Sequence, residues 1–305
     1  MLGTLDFSTI PSHLIDEVNL YHGASSLHVT GGALGGAVEM TTQPVTTAGI
    51  HGSYTQGVGC FGTFDQALRL TYLKGRWATS TRVIYATSSN RYPYTNYDKK
   101  TDVDDEKGQV IDSYHPRETN KSGYFSDLHA LQEVYYDAGK GNRLSLHAWY
   151  TRSRRGLPFL SVDYKDDADF KNEQLSDVLR AVFSWKKSGE AWTMDTRAGY
   201  LYSDLAYDYY TTLQSVVSQS ITKSRTHTHT AYASTTADFF FGDKWLLTAG
   251  LSAHYNHVWS RDLTPFFVGE NYNRGRIDAE AHLKVHWRPT PRLSLSALVR
   301  QEVHG

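Results

Sequence analysis

Residues 245–259 read WLLTAGLSAHYNHVW, and residues 277–287 read IDAEAHLKVHW. In the first stretch Trp245, Leu247, Ala249, Leu251, Ala253, Tyr255, His257 and Trp259 fall on one face of an extended chain. Leu246, Thr248, Gly250, Ser252, His254 and Asn256 fall on the other. In the second, Ile277, Ala279, Ala281, Leu283, Val285 and Trp287 oppose Asp278, Glu280, His282, Lys284 and His286. Successive side chains of a strand point to opposite faces, so both stretches read as strands. A face carrying two carboxylates, a lysine and two imidazoles needs water against it. Similar alternation runs through Leu144-Leu146-Ala148-Tyr150, Leu179-Ala181-Phe183-Trp185, Trp192-Met194-Thr196-Ala198-Tyr200 and Trp77-Thr79-Thr81-Val83-Tyr85. A half-buried sheet of a soluble protein alternates too, so alternation alone does not say what covers the apolar face.

Two further features do. The connections alternate in length. Short ones lie near Lys74-Gly75, Gly139 to Asn142, Lys187 to Glu190, Phe241 to Lys244 and Arg288 to Arg292; long ones span about Ser89 to Ser122, Gly156 to Ser176, Ala206 to Arg225 and Ser260 to Gly275. Outer-membrane barrels have short periplasmic turns and long external loops. The aromatic residues of the apolar faces are also sorted to strand ends. Trp77, Trp185, Trp192, Phe239, Trp245 and Trp287 sit beside the short turns, and Tyr85, Tyr150, Tyr200, Tyr202, Tyr255 and Trp259 beside the long loops. Amphipathic rings favour the two membrane–water interfaces. From Trp245 to Tyr255, at ~3.3 Å per residue and ~45° tilt, the height is roughly 23 Å, close to the apolar band of such barrels. The sequence therefore predicts an all-β fold, a membrane antiparallel β-barrel with about eleven strands. The register puts Leu247, Leu251, Leu283 and Val285 outward and Ser252, His254, Glu280 and Lys284 toward the lumen.

Composition agrees. The chain has 305 residues, a formal net charge of −1, 21 Tyr and 7 Trp. That charge balance, with no basic run, gives no argument for nucleic acid as a partner. No apolar run approaches the ~20 residues of a membrane helix. Membrane strands hide their hydrophobicity from window averages, so a barrel stays open. The single Cys60 cannot form an internal disulfide. No signal peptide opens the sequence, and for an outer-membrane protein Met1 then reads as a fragment boundary.

Upstream, residues 10–43 read IPSHLIDEVNLYHGASSLHVTGGALGGAVEMTTQ. Gly31-Gly32 and Gly35-Gly36 bracket Ala33-Leu34. Glycine suits backbone that turns with positive φ or packs closely. The spacing lacks the G-x-G-x-x-G pattern of a dinucleotide site. The stretch predicts strand, small helical or turn segment, and strand, resting on the concave face of the sheet. Ile10-Pro11, Ile15, Glu17-Val18, Gly23, Ser25-Ser26, Gly31, Ala33 through Met40 and Thr42 resemble the end of the plug domain of TonB-dependent outer-membrane receptors. Gly23, Gly31, Gly35 and Gly36 carry that motif. Many plugs of that family have Arg before the glycine matching Gly23, where this chain has His22; the lock that arginine makes with barrel carboxylates is in question here.

The resemblance implies a division into residues 1–48, the C-terminal part of a plug, and residues 49–305, the N-terminal half of a barrel. Such receptors have ~22 strands around a plugged lumen, so about eleven are present. An open half-barrel leaves two unpaired edges in lipid, where each unsatisfied backbone group costs several kcal/mol, so the piece alone is expected to be unstable there. The resemblance further implies a bacterial outer-membrane location, lipid around the barrel, the TonB energy-transducing complex as a partner through a segment not in this chain, and active uptake of a scarce nutrient such as a ferric siderophore, haem or cobalamin.

No catalytic constellation is present: there is no nucleophile elbow and no zinc-ligand spacing. His227 and His229 share a face with Ala231, Ala233, Ala237 and Phe239, the lipid side, which speaks against a metal site. The loop after residue 89 holds Tyr92, Tyr94 and Tyr97, then Asp102, Asp104 and Asp105; the next holds Asp163, Asp166, Asp167 and Asp169. Tyrosines give flat, rigid contact area, and clustered carboxylates hold Ca²⁺ through oxygen ligands. The sequence thus nominates Tyr92, Tyr94, Tyr97, His254 and Asn256 for the ligand and Asp102, Asp104 and Asp105 for a structural Ca²⁺, with no other cofactor. The alternative function is a passive porin or adhesin. A barrel enzyme would need a nucleophile and base at the lumen or rim, and none is found.

Overall fold

A computed structural model of the protein describes residues 10–22, 36–120, 122–157, 172–213, 217–264, 269 and 271–305. Two short strands come first, β1 (Glu17–His22) and β2 (Gly36–Thr41), paired antiparallel from Glu17↔Thr41 to His22↔Gly36. Ahead of them a 3-10 turn, Ser12–Leu14, follows Pro11. Gly23, Gly31 and Gly35 lie outside the described residues, as do Asp163, Asp166, Asp167 and Asp169, while Gly36 opens β2.

The large sheet begins with β3 (Gly49–Gly59), β4 (Thr63–Lys74) and β5 (Trp77–Ser88). Four small strands follow in the first loop, β6 (Pro93–Thr95), β7 (Thr101–Asp104), β8 (Val110–Tyr114) and β9 (Arg117–Thr119). Then come β10 (Phe125–Gly139), β11 (Asn142–Gly156), β12 (Glu173–Ser188), β13 (Trp192–Leu213) and β14 (Val217–Phe241). The last are β15 (Trp245–Asp262), β16 (Tyr272–Thr290) and β17 (Leu293–His304). Eleven of these form one sheet in the order β17-β16-β15-β14-β13-β12-β11-β10-β5-β4-β3, every neighbouring pair antiparallel. In loop one, β6 pairs with β9 and β7 with β8.

Tight turns connect the strands at the end where the tryptophans gather. Lys74 pairs directly with Trp77, and Gly75 between them takes φ +60°, a conformation in which a Cβ is strained. At the opposite end one connection is short, and one span differs from the sequence reading. The β3–β4 connection there is a three-residue turn, Cys60–Gly62. The span from Ala206 to Arg225, read as a loop, is mostly strand: β13 and β14 stay paired out to Leu213↔Val217. Tyr, Thr, Val and Ile make up nine of the twenty residues of that span and favour extended backbone, so the ladder continues.

Register fixes the faces. Arg82 stands opposite Arg69 on one side and Leu131 on the other, Leu131 opposite Trp149, and Trp149 opposite Arg180, so these share a face. That face meets the N-terminal segment, and we call it inner. There Leu14, Ile84 and Leu131 form a buried cluster, with Ile15, Ala67 and Trp149 packed against it. The outer face carries Trp245 opposite Trp287, Leu247 opposite Val285 and Leu251 opposite Ala281, and Leu251, Ile277 and Leu283 on it are exposed. A soluble sheet buries its apolar face; this one buries its polar face instead, with Ser80, Arg82 and Glu133 at 0%, 1% and 0% exposure. β3 and β17 are the two edges of the sheet.

Candidate functional site

The densest polar contact lies where the N-terminal segment crosses the inner wall. The turn Ser12–Leu14 aims its last carbonyl at the wall, and the Leu14 oxygen accepts from Arg82 Nη1 at 3.0 Å. Asp16 follows. Its Oδ2 accepts from Arg82 Nη2 at 2.5 Å and from the Gln43 amide at 2.9 Å, and its Oδ1 accepts from Arg69 Nη1 at 3.1 Å. The backbone amide of Asp16 donates to the Thr41 oxygen at 3.0 Å. One carboxylate thus joins the turn, the end of β2, and strands β4 and β5. Burial alone would raise its pKa, but the hydrogen bonds from Arg82 and Gln43 and the charges of Arg82 and Arg69 outweigh that and hold it below the usual range.

Glu133 on β10 closes the network from the wall. Thr42 Oγ1 and Tyr135 Oη both donate to its Oε1, the latter at 3.0 Å. Arg82 Nη2 lies 3.6 Å from its Oε2, and His147 Nδ1 lies 3.6 Å from its Oε1. Leu14, Thr42 and Tyr135 supply hydrogen bonds to this buried pair, while Arg82 Nε and Glu133 Oε2 are buried with no hydrogen-bond partner among the described residues. None of Asp16, Arg82 and Glu133 was nominated from sequence. The signal available was an Arg and a Glu at positions that the strand alternation puts on the inner face.

Beside this clamp the inner wall of β12 to β17 stays open. A polar cavity of about 620 Å³ lies between the β1–β2 hairpin, through Tyr21 and Glu39, and wall residues including Arg197, Glu280, His282 and Lys284. Tyr21 Oη donates to Glu39 Oε2 at 2.9 Å. Ser252, Glu280 and Lys284 face this cavity, as the sequence register requires. Two rings are kept flat on the wall, Tyr232 over Gly199 and His282 over Gly250. Each lies where a Cβ on its glycine would sit, so any side chain there would displace it.

The residues nominated for ligand contact fall in separate places. Tyr92 and Tyr94 pack at a tilt at the start of loop one, with Tyr92 also edge on against Phe61 of the β3–β4 turn. Tyr94 Oη donates to Glu118 at 3.2 Å, and Tyr97, 76% exposed, packs on His115. Glu118 is held below the usual carboxylate range chiefly by its hydrogen bond from Lys99, with Asn96 and Tyr94 adding to it. His254 and Asn256 lie far across the sheet on the inner face of β15. His254 stacks on Tyr232, and Asn256 accepts from Thr230 at 2.9 Å. Asp102, Asp104 and Asp105 do not converge. Asp105 Oδ1 accepts from the Lys107 and Gln109 amides, each at 2.8 Å, which shapes the β7–β8 turn. Among the described residues no three His, Cys, Asp or Glu side chains are arranged to hold a metal ion. His227 and His229 face outward, stacked with Tyr202 and hydrogen-bonded to Tyr202 and Tyr200.

An outward apolar face ending in two aromatic belts, with a short hairpin clamped to a polar inner wall, has counterparts among solved structures. The copper transporter OprC matches with a TM-score of 0.68 at 14% identity over 97% of this chain. The chain has the fold of a TonB-dependent outer-membrane receptor. The ferripyoverdine receptor of the outer membrane of Pseudomonas aeruginosa matches at 0.66 and 12% identity over 95% of the chain. The FrpB iron transporter from Neisseria meningitidis matches at 0.69 and 12% identity, also over 95%. The chain spans 43%, 42% and 46% of those three proteins, less than half of each receptor. No protein-family model and no curated protein sequence matches it.

Proposed function

We propose that this chain is the plug-to-barrel portion of a bacterial outer-membrane receptor that takes up a scarce nutrient against its gradient, energised through TonB. Residues 1–48 are the end of the plug, and residues 49–305 the first half of the barrel. The observation that carries this reading is the Asp16–Arg82–Glu133 clamp inside an outward-apolar sheet. A passive pore has no use for a segment pinned across its lumen by a buried ion pair. The work is transport, with no covalent chemistry. The solved structures it resembles include a copper transporter and an iron transporter, which favours a metal or metal chelate as cargo; a corrinoid and haem are the further classes to test. The cargo meets the protein at the loop end, where Tyr92, Tyr94 and Tyr97 supply aromatic area on one side, and His254 and Asn256 line the inner wall far across the sheet.

The test is uptake by cells in which the intact protein is the sole receptor for a panel of ferric chelates, copper, haem and cobalamin. Accumulation of one of them in TonB-competent cells, and its loss in TonB-deficient cells, is the expected result. Equal accumulation in both strains means a passive pore. Replacing Tyr92, Tyr94 and Tyr97 together by Ala weakens binding of the identified cargo several-fold with barrel assembly intact; unchanged affinity removes that loop from the site.

A further inference from the structure

The five short turns at the tryptophan end of the sheet share a sign of charge. Lys74 and Arg76 flank Gly75 between β4 and β5, and Lys140 and Arg143 stand where β10 turns into β11. Lys186 and Lys187 lie at the end of β12, and Lys244 directly precedes β15. Arg288 and Arg292 lie either side of the last turn, between β16 and β17. Residues 74–76, 137–143, 186–191, 242–244 and 288–292 thus hold nine Lys or Arg against three Asp or Glu, in a chain whose formal net charge is −1. All nine cations except the half-buried Lys187 are exposed. Among the described residues only Lys186 has a carboxylate within ion-pair distance, Asp195 at 3.5 Å. Asp137 shapes its own turn, accepting from the Gly139 amide at 2.9 Å. The loop end of the outer face differs. There Arg154, Arg225 and Lys223 each have a carboxylate oxygen, at 2.6, 2.5 and 3.7 Å.

The unpaired cations lie just beyond the tryptophan belt. Arg76 precedes Trp77, whose ring lies 4.4 Å from that of Tyr136. The Lys187 ammonium lies 5.6 Å over the ring of Trp192. Trp245 and Trp287 stack at 5.1 Å, and the residues next to them are joined through the backbone, the Arg288 amide donating to the Lys244 oxygen at 2.8 Å. Indoles settle at the membrane–water interface, so cations one residue further out stand at the height of lipid phosphates. Each exposed Lys or Arg at that height attracts anionic headgroups, and salt weakens the attraction. The charge is also spread over all five turns. A soluble partner needs charge gathered in one sector, whereas a ring of lipid meets every turn.

We infer that the turn-side rim of the barrel is a binding surface for anionic phospholipid headgroups. Its best-formed element is Lys244 with Arg288, set beyond the Trp245–Trp287 stack. A phosphodiester there accepts from both cationic side chains, and the acyl chain below it lies along the indoles. The inference rests on the membrane-barrel reading and is independent of the cargo. It gives the rim a task beyond anchoring, the choice of which lipids surround the barrel on the turn side.

The test uses the intact protein, purified in detergent and reconstituted into phosphatidylcholine bilayers. Brominated phosphatidylglycerol and brominated phosphatidylcholine are the probes, and quenching of tryptophan fluorescence is the readout. In wild type, phosphatidylglycerol competes for the barrel surface about threefold better than phosphatidylcholine, and about 0.5 M salt removes most of that preference. Arg76→Gln, Lys244→Gln and Arg288→Gln together abolish it. Lys100→Gln with Lys107→Gln, which removes charge from loop one, leaves it unchanged. Assembly of each variant is checked by heat-modifiable migration. If the triple variant does not assemble, Lys244→Gln alone is read in its place, with the preference roughly halved. Equal competition by the two lipids in wild type, or a preference that survives both the substitutions and salt, overturns the lipid surface and leaves the barrel reading standing. Equal competition together with retention of wild type on immobilised polyglutamate reassigns the rim to a soluble anionic partner. Tryptophan fluorescence that neither brominated lipid quenches refutes the membrane placement itself, and the inference with it.

Discussion

Replacing Asp16 with Ala should free the N-terminal segment from the wall without unfolding the barrel. Three contacts disappear. The hydrogen bond from Arg82 Nη2 at 2.5 Å is charge-assisted and nearly buried, and such bonds contribute about 1.5–3 kcal/mol. The Gln43 amide loses its acceptor, at a cost of about 1 kcal/mol. The pair with Arg69, whose side chain is 39% exposed, adds only a few tenths of a kcal/mol. Glu133 remains 3.6 Å from Arg82, so the guanidinium is not left alone. The loss therefore stays near the low end of the ~3–5 kcal/mol seen when a buried ion pair is broken outright. A total of about 3 kcal/mol is roughly a hundredfold in the opening equilibrium. Amide hydrogen exchange in the intact protein reads this directly. The β1–β2 amides and that of Gln43 should exchange about a hundredfold faster, with β12 to β15 unchanged. The double substitution Asp16→Ala with Arg82→Ala should cost less than the two single effects added. Exchange within threefold of wild type in β1–β2 would refute the clamp as the main tether.

The same carboxylate makes attachment pH-dependent. Because the folded pKa of Asp16 is depressed, its contribution is whole above about pH 4 and is lost as pH falls below that range. Protease nicking within residues 10–47 should rise on acidification in wild type and show a flatter profile in Asp16→Asn; parallel profiles would assign the acid response to other groups. Single cysteines test the register in the Cys60→Ser background: a water-soluble maleimide should label position 284 and leave 283 unlabelled in membranes, and the reverse pattern would shift every strand by one residue. Gly199→Val should push the Tyr232 ring off the wall and lower thermal stability by about 1–3 kcal/mol, an overpacking cost; wild-type stability would mean that the ring has room to move.

Sequence alone determined the class of the fold, because a membrane barrel writes its solvent into every second residue. Trp245 to Trp259 and Ile277 to Trp287 give a face, a strand length and an aromatic end without reference to any other part of the chain. That is why Lys284 and Ser252 could be assigned inward, and why eleven strands in the sheet matched the count of hairpins. It could not say where loops stop being strands, since Tyr207 to Leu213 extend the ladder above the membrane with no apolar face to mark them. The tyrosines and aspartates of the first loop stand out by composition, yet Asp105 serves its own turn and the three aspartates do not converge. The clamp was invisible for a different reason. Asp16, Arg82 and Glu133 are separated by tens of residues, and each is an ordinary polar residue in its own segment. Only folding places one carboxylate against two strands and a turn, buries Arg82 and Glu133 almost completely, and lays Arg180 over Trp149. Pairing of charges across a lumen is set by register and by what lies against the wall, and those are tertiary quantities.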